Sequence, residues 1–212
     1  GHSDLGDILV MPTTGPLKLN PGTSDNPDAG YRSRFSHETE KAVPGYYEVQ
    51  LDDYKVKAQL TATPRVGVHK YTFPKDGDGR IVLDLNHGIY NYDGKTLWAF
   101  LRVENDTLLT GYRITNGWAR TNYTYFAISF SQPIKNYGYK DHQRILYNGW
   151  WRKFPVNNNF PEMAGRKLVS YFEFDTQKNE EVVVKVALSA TSTEGAVKNL
   201  MAEAASKDFD TI

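Results

Sequence analysis

A dense set of hydrogen-bonding side chains lies between residues 32 and 40, where the sequence is Arg-Ser-Arg-Phe-Ser-His-Glu-Thr-Glu. Arg34, His37 and Glu40 bring a cation, an imidazole and a carboxylate into one short stretch beside a predicted loop. Such groups can hydrogen-bond the hydroxyls of a sugar or hold a facing domain. The alternative is a solvated loop whose local ion pairs contribute little. Residue types alone leave both interpretations open.

A second polar group, His2, Asp4 and Asp7, stands at the start of the chain. Together with His37 or His69 these residues could in principle ligate a metal, but their spacing fits no ligand motif. His69 lies within a predicted strand and His87 at a predicted strand end, which is more typical of packed or hydrogen-bonded histidines. The sequence therefore predicts no metal site in this chain.

Three tryptophans, Trp118, Trp150 and Trp151, lie in or near predicted loops. An exposed indole ring can stack on the apolar C–H face of a pyranose, which makes Trp118 a candidate for sugar contact. Tryptophan is more often a core residue, and the pattern does not decide between the two.

Glycoside hydrolysis requires two carboxyl groups, which stand roughly 6.5 to 9.5 Å apart in inverting enzymes. The chain has 25 Asp and Glu residues, and none lies in a motif that marks an acid or a base. Phosphate-binding glycine loops, nucleophile elbows and cysteines are also missing from the sequence. We therefore assign no catalytic residue to this chain.

The composition suits a neutral partner and a well-packed core. Of the 212 residues, 40% are apolar, enough for one large all-β domain. Equal numbers of basic and acidic residues, 25 each, do not favour a nucleic-acid or anionic-membrane partner. No apolar run approaches 18 residues, so no membrane span is predicted.

Alternation of apolar and polar residues predicts strands over most of the chain. Short turns rich in Gly and Asp separate these segments, which favours antiparallel pairing. Aromatic residues on both faces of several segments indicate that the sheets are covered on two sides. The economical architecture is all-β, with two large antiparallel sheets packed face to face. The predicted strands are 46–51, 55–63, 66–73, 80–85, 97–103, 108–115, 123–130, 168–174 and 181–189.

Helical spacing appears only near the end, where apolar residues recur between Ala196 and Ala204. Thr191 and Glu194 fit a capping box in front of this short helix. Residues 206–212 have no periodicity and are expected to begin a linker, so the domain is expected to span residues 1–205. Residues 12–44 and 134–165 are predicted to be long irregular loops, where binding residues are often found.

Several strings resemble the N-terminal domain of glycoside hydrolase family 92. The first, at residues 4–15, is Asp-Leu-Gly-Asp-Ile-Leu-Val-Met-Pro-Thr-Thr-Gly, and a second, at residues 159–165, is Asn-Phe-Pro-Glu-Met-Ala-Gly. These strings occur in the family's order and extend over nearly the whole chain. The other strings of this kind are residues 35–40, 44–49, 60–63, 65–74 and 192–200.

The resemblance implies a β super-sandwich of the galactose-mutarotase type from a calcium-dependent, inverting exo-α-mannosidase. It also implies that the acid, the base and the calcium ligands lie mainly on an (α/α)6 barrel after Ile212. The expected ligand is a mannose-containing N-glycan with α-1,2 linkages, and the expected location is secreted, periplasmic or at the cell surface.

By the same resemblance, the family has an aromatic segment and a Ser-His-Thr-His type string before the position of Gly1. We expect His2 and Asp4 to lie near the interdomain cleft, with the loop that carries Arg34, His37 and Glu40. Two alternatives stay open: a free-standing carbohydrate-binding module, and a structural domain that only docks onto a partner.

Overall fold

Strands form where apolar and polar residues alternate along the sequence. The structure is a computed structural model that describes residues 8–89, 94–141 and 161–212. These residues form two sheets, and every strand pair is antiparallel. The strands are β1 (Leu9–Thr13), β2 (Lys41–Val43), β3 (Tyr46–Leu51), β4 (Val56–Ala62), β5 (Val66–Thr72), β6 (Arg80–Asp84), β7 (Thr96–Asn105), β8 (Leu108–Thr115), β9 (Asn122–Phe130), β10 (Asn136–Asp141), β11 (Glu162–Gly165), β12 (Leu168–Glu173) and β13 (Glu181–Ser189).

The two sheets differ in size. One has four strands in the order β1-β6-β12-β10, and the other has nine in the order β11-β7-β8-β9-β13-β5-β4-β3-β2. The predicted two-sheet, all-β architecture is confirmed. All nine predicted strands are present, with ends that differ by at most two residues.

The loops predicted over residues 12–44 and 134–165 were wrong in part, because β2 lies within the first, and β10 and β11 lie within the second. β10 pairs with β12, and β11 pairs with β7 at the edge of the larger sheet. β11 has only four residues, and in β10 the alternation is limited to Tyr137 and Tyr139, which pack against the core.

The main core lies between the sheets. Phe126 and Ile128 of β9 meet Ile81 of β6 and Phe172 of β12, and all four are at most 1% exposed. Gly111 makes this packing possible: a Cβ atom there would lie 2.5 Å from the Phe126 ring and 2.2 Å from a backbone oxygen. The β8–β9 pair can therefore hold a phenylalanine only opposite a glycine.

One helix, α1 (Thr193–Glu203), lies on the outer face of the nine-stranded sheet. The expected short C-terminal helix is confirmed, but its cap is one residue later than predicted. The Ser192 hydroxyl, not that of Thr191, accepts the Gly195 backbone N–H at 3.0 Å. No described helix is long and apolar enough to cross a membrane.

The segment after α1 is folded back onto the sheet. Phe209, in a 3-10 helix at Phe209–Thr211, is 6% exposed. The Lys70 ammonium lies 4.7 Å from its ring centroid. The Lys185 ammonium donates to the carbonyls of Ala204 and Lys207 at 2.7 and 2.6 Å. The domain limit at residue 205 stays a prediction.

Candidate functional site

Asp84, the last residue of β6, is the centre of a buried hydrogen-bond network. Its carboxylate accepts the Tyr31 hydroxyl at 2.6 Å and the backbone N–H groups of Asn86 and His87 at 2.7 and 3.0 Å. Tyr31 and Asp84 are each 3% exposed. Burial and the neighbouring Asp84 carboxylate raise the pKa of Tyr31, so the phenol stays protonated and keeps donating.

Two buried cations lie beside this network at the adjacent ends of β7 and β8. Lys95 is 3% exposed and Arg113 is fully buried, with its guanidinium donating to the Thr96 hydroxyl at 3.1 Å. Burial lowers the pKa of His87, the Asp84 charge opposes this effect, and the charges of Arg113 and Lys95 add to it. We call Tyr31, Asp84, His87, Lys95 and Arg113 the polar end of the sandwich.

The polar end can bind and orient but does not form an acid–base pair. Both carboxylate oxygens of Asp84 accept hydrogen bonds from within the domain, and no second carboxyl group belongs to the polar end. His87 is neutral near pH 7 because its pKa is lowered. A neutral imidazole, with one nitrogen that donates and one that accepts, suits hydrogen bonds to hydroxyl groups.

Of the residues predicted from sequence, Arg34, His37 and Glu40 lie on the surface near the β2 edge of the larger sheet. The Arg34 guanidinium contacts the Asp28 carboxylate at 2.6 Å and the Asp53 carboxylate at 2.7 Å. Arg34 is therefore already paired, in a surface geometry that contributes little free energy.

Glu40 links two neighbours. Its carboxylate accepts the Tyr47 hydroxyl at 2.6 Å and lies 2.5 Å from Nδ1 of His37. These hydrogen bonds, the one from Tyr47 first, lower the pKa of Glu40, and the same bond raises the pKa of Tyr47 to about 12. A carboxyl held ionised in this way is unsuited to act as a general acid.

Trp118 lies at the opposite end of the nine-stranded sheet from Arg34. It is 85% exposed, in the loop that follows the Thr115–Asn122 pair of β8 and β9. Asp53, the partner of Arg34, lies in the turn after the Leu51–Val56 pair, which the strand registers place at the other end. The structure therefore does not bring Trp118 together with the group around Arg34.

The other sequence candidates lie outside the described residues: His2, Asp4, Asp7, Trp150 and Trp151. Within residues 8–89, 94–141 and 161–212, no group of three or more His, Asp or Glu side chains is arranged to hold a metal ion.

The polar end was missed from sequence. Tyr31 and Asp84 are 53 residues apart, and no local pattern connects them. Arg113 had a weak signal in the sequence. It lies on β8 four residues after the buried Leu109, so it points to the same inward face. An arginine at an inward position could have been recognised as part of a buried polar cluster.

His69, predicted to be a packed histidine, lies on the inner face of β5. Its Nδ1 lies 2.7 Å from the Tyr71 hydroxyl, and burial lowers its pKa to about 4. The unfolded chain, with a histidine pKa near 6.5, binds the proton more readily. Stability is therefore complete above pH 6.5 and falls as the pH drops from 6.5 toward 4.

Protonation of His69 in the unfolded chain is expected to lower the free energy of unfolding by about 2 kcal/mol between pH 6.5 and 5. Urea unfolding at pH 7.5 and 5 measures this loss, and His69→Gln should remove most of it. His37→Gln, at an exposed imidazole, is the matched control and should leave the loss unchanged. An equal pH dependence in the His69 variant would contradict the assignment.

The comparisons with known proteins agree with one another. The model of the glycosyl hydrolase family 92 N-terminal domain matches residues 1–189. The structure is similar to the family GH92 α-mannosidase BT3965 from Bacteroides thetaiotaomicron, with a TM-score of 0.83 and 38% sequence identity. That match covers 98% of this chain and 27% of the other.

A second similar structure is the family GH92 inverting mannosidase BT2199 from Bacteroides thetaiotaomicron VPI-5482. It has a TM-score of 0.74 and 26% identity, over 96% of this chain and 24% of that one. BT3965 has also been solved in complex with mannoimidazole, and this structure matches at 38% identity with a TM-score of 0.83, over 97% of this chain and 26% of that one. A search of curated protein sequences gave no match. The chain thus spans about a quarter of the length of the solved structures it resembles.

Proposed function

The chain belongs to the glycosyl hydrolase family 92 N-terminal domain family, and on this premise we propose that it is the non-catalytic β-sandwich of an α-mannosidase. It contributes one side of a substrate pocket at an interface with a second domain. The observation that carries this proposal is the match of nearly the whole chain to about a quarter of BT3965.

The hydrogen bonds to the described carboxyl groups support a non-catalytic role. A glycosidase acid requires a raised pKa. Every described carboxyl group whose pKa is clearly shifted is shifted downward. Hydrogen bonds are the main cause in each case, for Glu40, Glu48, Asp53, Asp175, Glu194, Glu203 and Asp208.

In this proposal the acid, the base and the calcium ligands belong to an (α/α)6 barrel of the same polypeptide. The barrel is the domain partner, and a mannose-containing glycan is the ligand of the whole enzyme. The inverting mechanism, the α-1,2 linkage, the N-glycan substrate and the secreted or periplasmic location are parts of the proposal that rest on family membership.

The polar end is the part of this domain that we propose to face the pocket. Its neutral imidazole at His87, which is only partly buried, can hydrogen-bond a loop or a sugar hydroxyl, with the charges of the buried Lys95 and Arg113 nearby. Arg34, His37, Glu40 and Trp118 remain predicted interface or sugar-contact residues, on two separate surfaces.

Complementation of the two parts tests the proposal. Mannose release from an aryl α-mannoside in calcium buffer is measured for the rest of a parent polypeptide, with and without residues 1–212. We expect release at least tenfold faster when the sandwich is present. Equal rates with and without it would show that this domain contributes nothing to the pocket.

A further inference from the structure

The outer face of the nine-stranded sheet has two parts with different side chains. Where α1 covers the sheet, its residues are small and aliphatic. Val66, Val68, Ala127 and Ala187 are all at most 1% exposed. On the strands β7, β8 and β9 beyond the helix, the outward residues are mostly aromatic, and they remain partly exposed.

These outward residues form two cross-strand rows. One row is Trp98, Ile114 and Tyr123, in register across β7, β8 and β9. The other row is Phe100, Tyr112 and Tyr125. The six side chains carry no charge, and we call them the aromatic face.

Within the aromatic face the rings support one another. Phe100 and Tyr112 stack at 5.5 Å between centroids, and Tyr123 lies parallel to Tyr125 at 6.0 Å. Trp98 and Tyr123 are the most exposed members, at 40% and 45%. Because they stand two strands apart, their backbones are separated by about 10 Å, close to the length of a disaccharide.

A shallow groove of about 620 Å³ adjoins Tyr123 and continues toward the start of α1. Its lining carries hydroxyl and amide groups, with Asn122, Thr124, Ser189 and Asn199 among them. It also includes two cationic side chains, Lys198 and Arg65, of which Arg65 is paired with Glu203. Hydroxyls and amides next to an exposed aromatic ring are the groups that bind sugars, because one side of a pyranose is apolar and its rim is polar.

We infer that the aromatic face and its groove form a glycan-binding surface in which pyranose rings stack on Trp98 and Tyr123. The expected ligand is a neutral oligosaccharide of two or more units. The polar groups beside the exposed rings favour a sugar as the occupant, because a pyranose needs an apolar surface for its face and hydrogen-bonding partners for its rim.

The aromatic face lies on the outer side of the nine-stranded sheet, whereas Arg113 of the polar end lies on the inward side of β8. Failure of the mannosidase proposal would leave this inference intact, and the reverse is also true.

Chemical-shift mapping and calorimetry on residues 1–212 test the inference, with α-mannotriose and cellotriose as separate probes. We expect one of them to bind and to shift the amides of residues 98–100, 112–114 and 122–125. Trp98→Thr and Tyr123→Thr keep a residue that favours strands and should each weaken binding about tenfold. Phe35→Ala, an aromatic residue 48% exposed near the β2 edge, is the control and should change binding less than twofold.

Three results would overturn the inference. The first is no binding of either trisaccharide at millimolar concentration. The second is binding that shifts amides elsewhere and is unchanged in both threonine variants. The third is self-association of the chain that both variants abolish, which would make the aromatic face an interface between copies. The chemical-shift mapping uses the unaltered chain, so it tests the location of the binding surface even if a variant fails to fold.

Discussion

Replacement of Phe172 by alanine is expected to lower the unfolding free energy by about 4 kcal/mol. Phe172 of β12 is fully buried and extends from the four-stranded sheet toward the larger one. Its ring centroid lies 5.7 Å from that of Phe130 in the larger sheet and 6.1 Å from that of Tyr137. Removing the ring leaves a cavity at the point where the two sheets meet.

Urea unfolding followed by tryptophan fluorescence measures this loss, with Phe35→Ala as the control of equal size. Phe35 is half-exposed and its loss should cost less than about 1 kcal/mol. Equal effects of the two substitutions would contradict the packing of the sheets described above.

Replacement of Asp84 by alanine is expected to cost about 3 kcal/mol. The Tyr31 hydroxyl and the N–H groups of Asn86 and His87 would lose their acceptor, and the hydroxyl would stay buried. Lys95 and Arg113 would also lose a neighbouring negative charge. The cost arises from unpaired donors, so it should exceed that of removing one donor.

Tyr31→Phe is the matched comparison, since it removes one hydroxyl and leaves Asp84 with its two backbone donors. We expect about 1 kcal/mol for this change. Hydrogen exchange at Asn86 and His87 should increase in Asp84→Ala and stay slow in Tyr31→Phe. If the two variants had the same stability and the same exchange, the network would not organise the polar end.

The strands with strong alternation were predictable because their side chains pack on one core. β8 and β13, at Leu108–Thr115 and Glu181–Ser189, have the predicted bounds. β10 was missed, because Asn136–Asp141 has only two alternating apolar residues, Tyr137 and Tyr139, and pairs with β12 at a sheet edge. Its pairing depends on a partner more than 25 residues away in sequence.

The aromatic residues were expected to be covered on both faces of the strands. This is correct for Tyr171 and Phe172, which are 7% and 0% exposed. It is wrong for Tyr123 and Trp98, which stay half-exposed on the outer face. Alternation indicates that a side chain points to a given face, but only the tertiary structure determines what covers that face.

The candidate site also has one part that was predictable from the sequence and one part that was not. The contact between His37 and Glu40 is local, three residues apart, and the sequence placed them in one group. The Tyr31–Asp84 pair joins a long loop to the end of a buried strand across 53 residues. Such a pair depends on the sheet order, which the sequence does not specify.

Mannose release by purified residues 1–212 tests most directly the claim that this domain binds and shapes but does not cleave. The assay uses an aryl α-mannoside with calcium, on protein whose cooperative unfolding shows that it is folded. We expect no release above the buffer blank. Release above the blank that disappears in Glu40→Gln would contradict the account, because the acid would then lie in this chain.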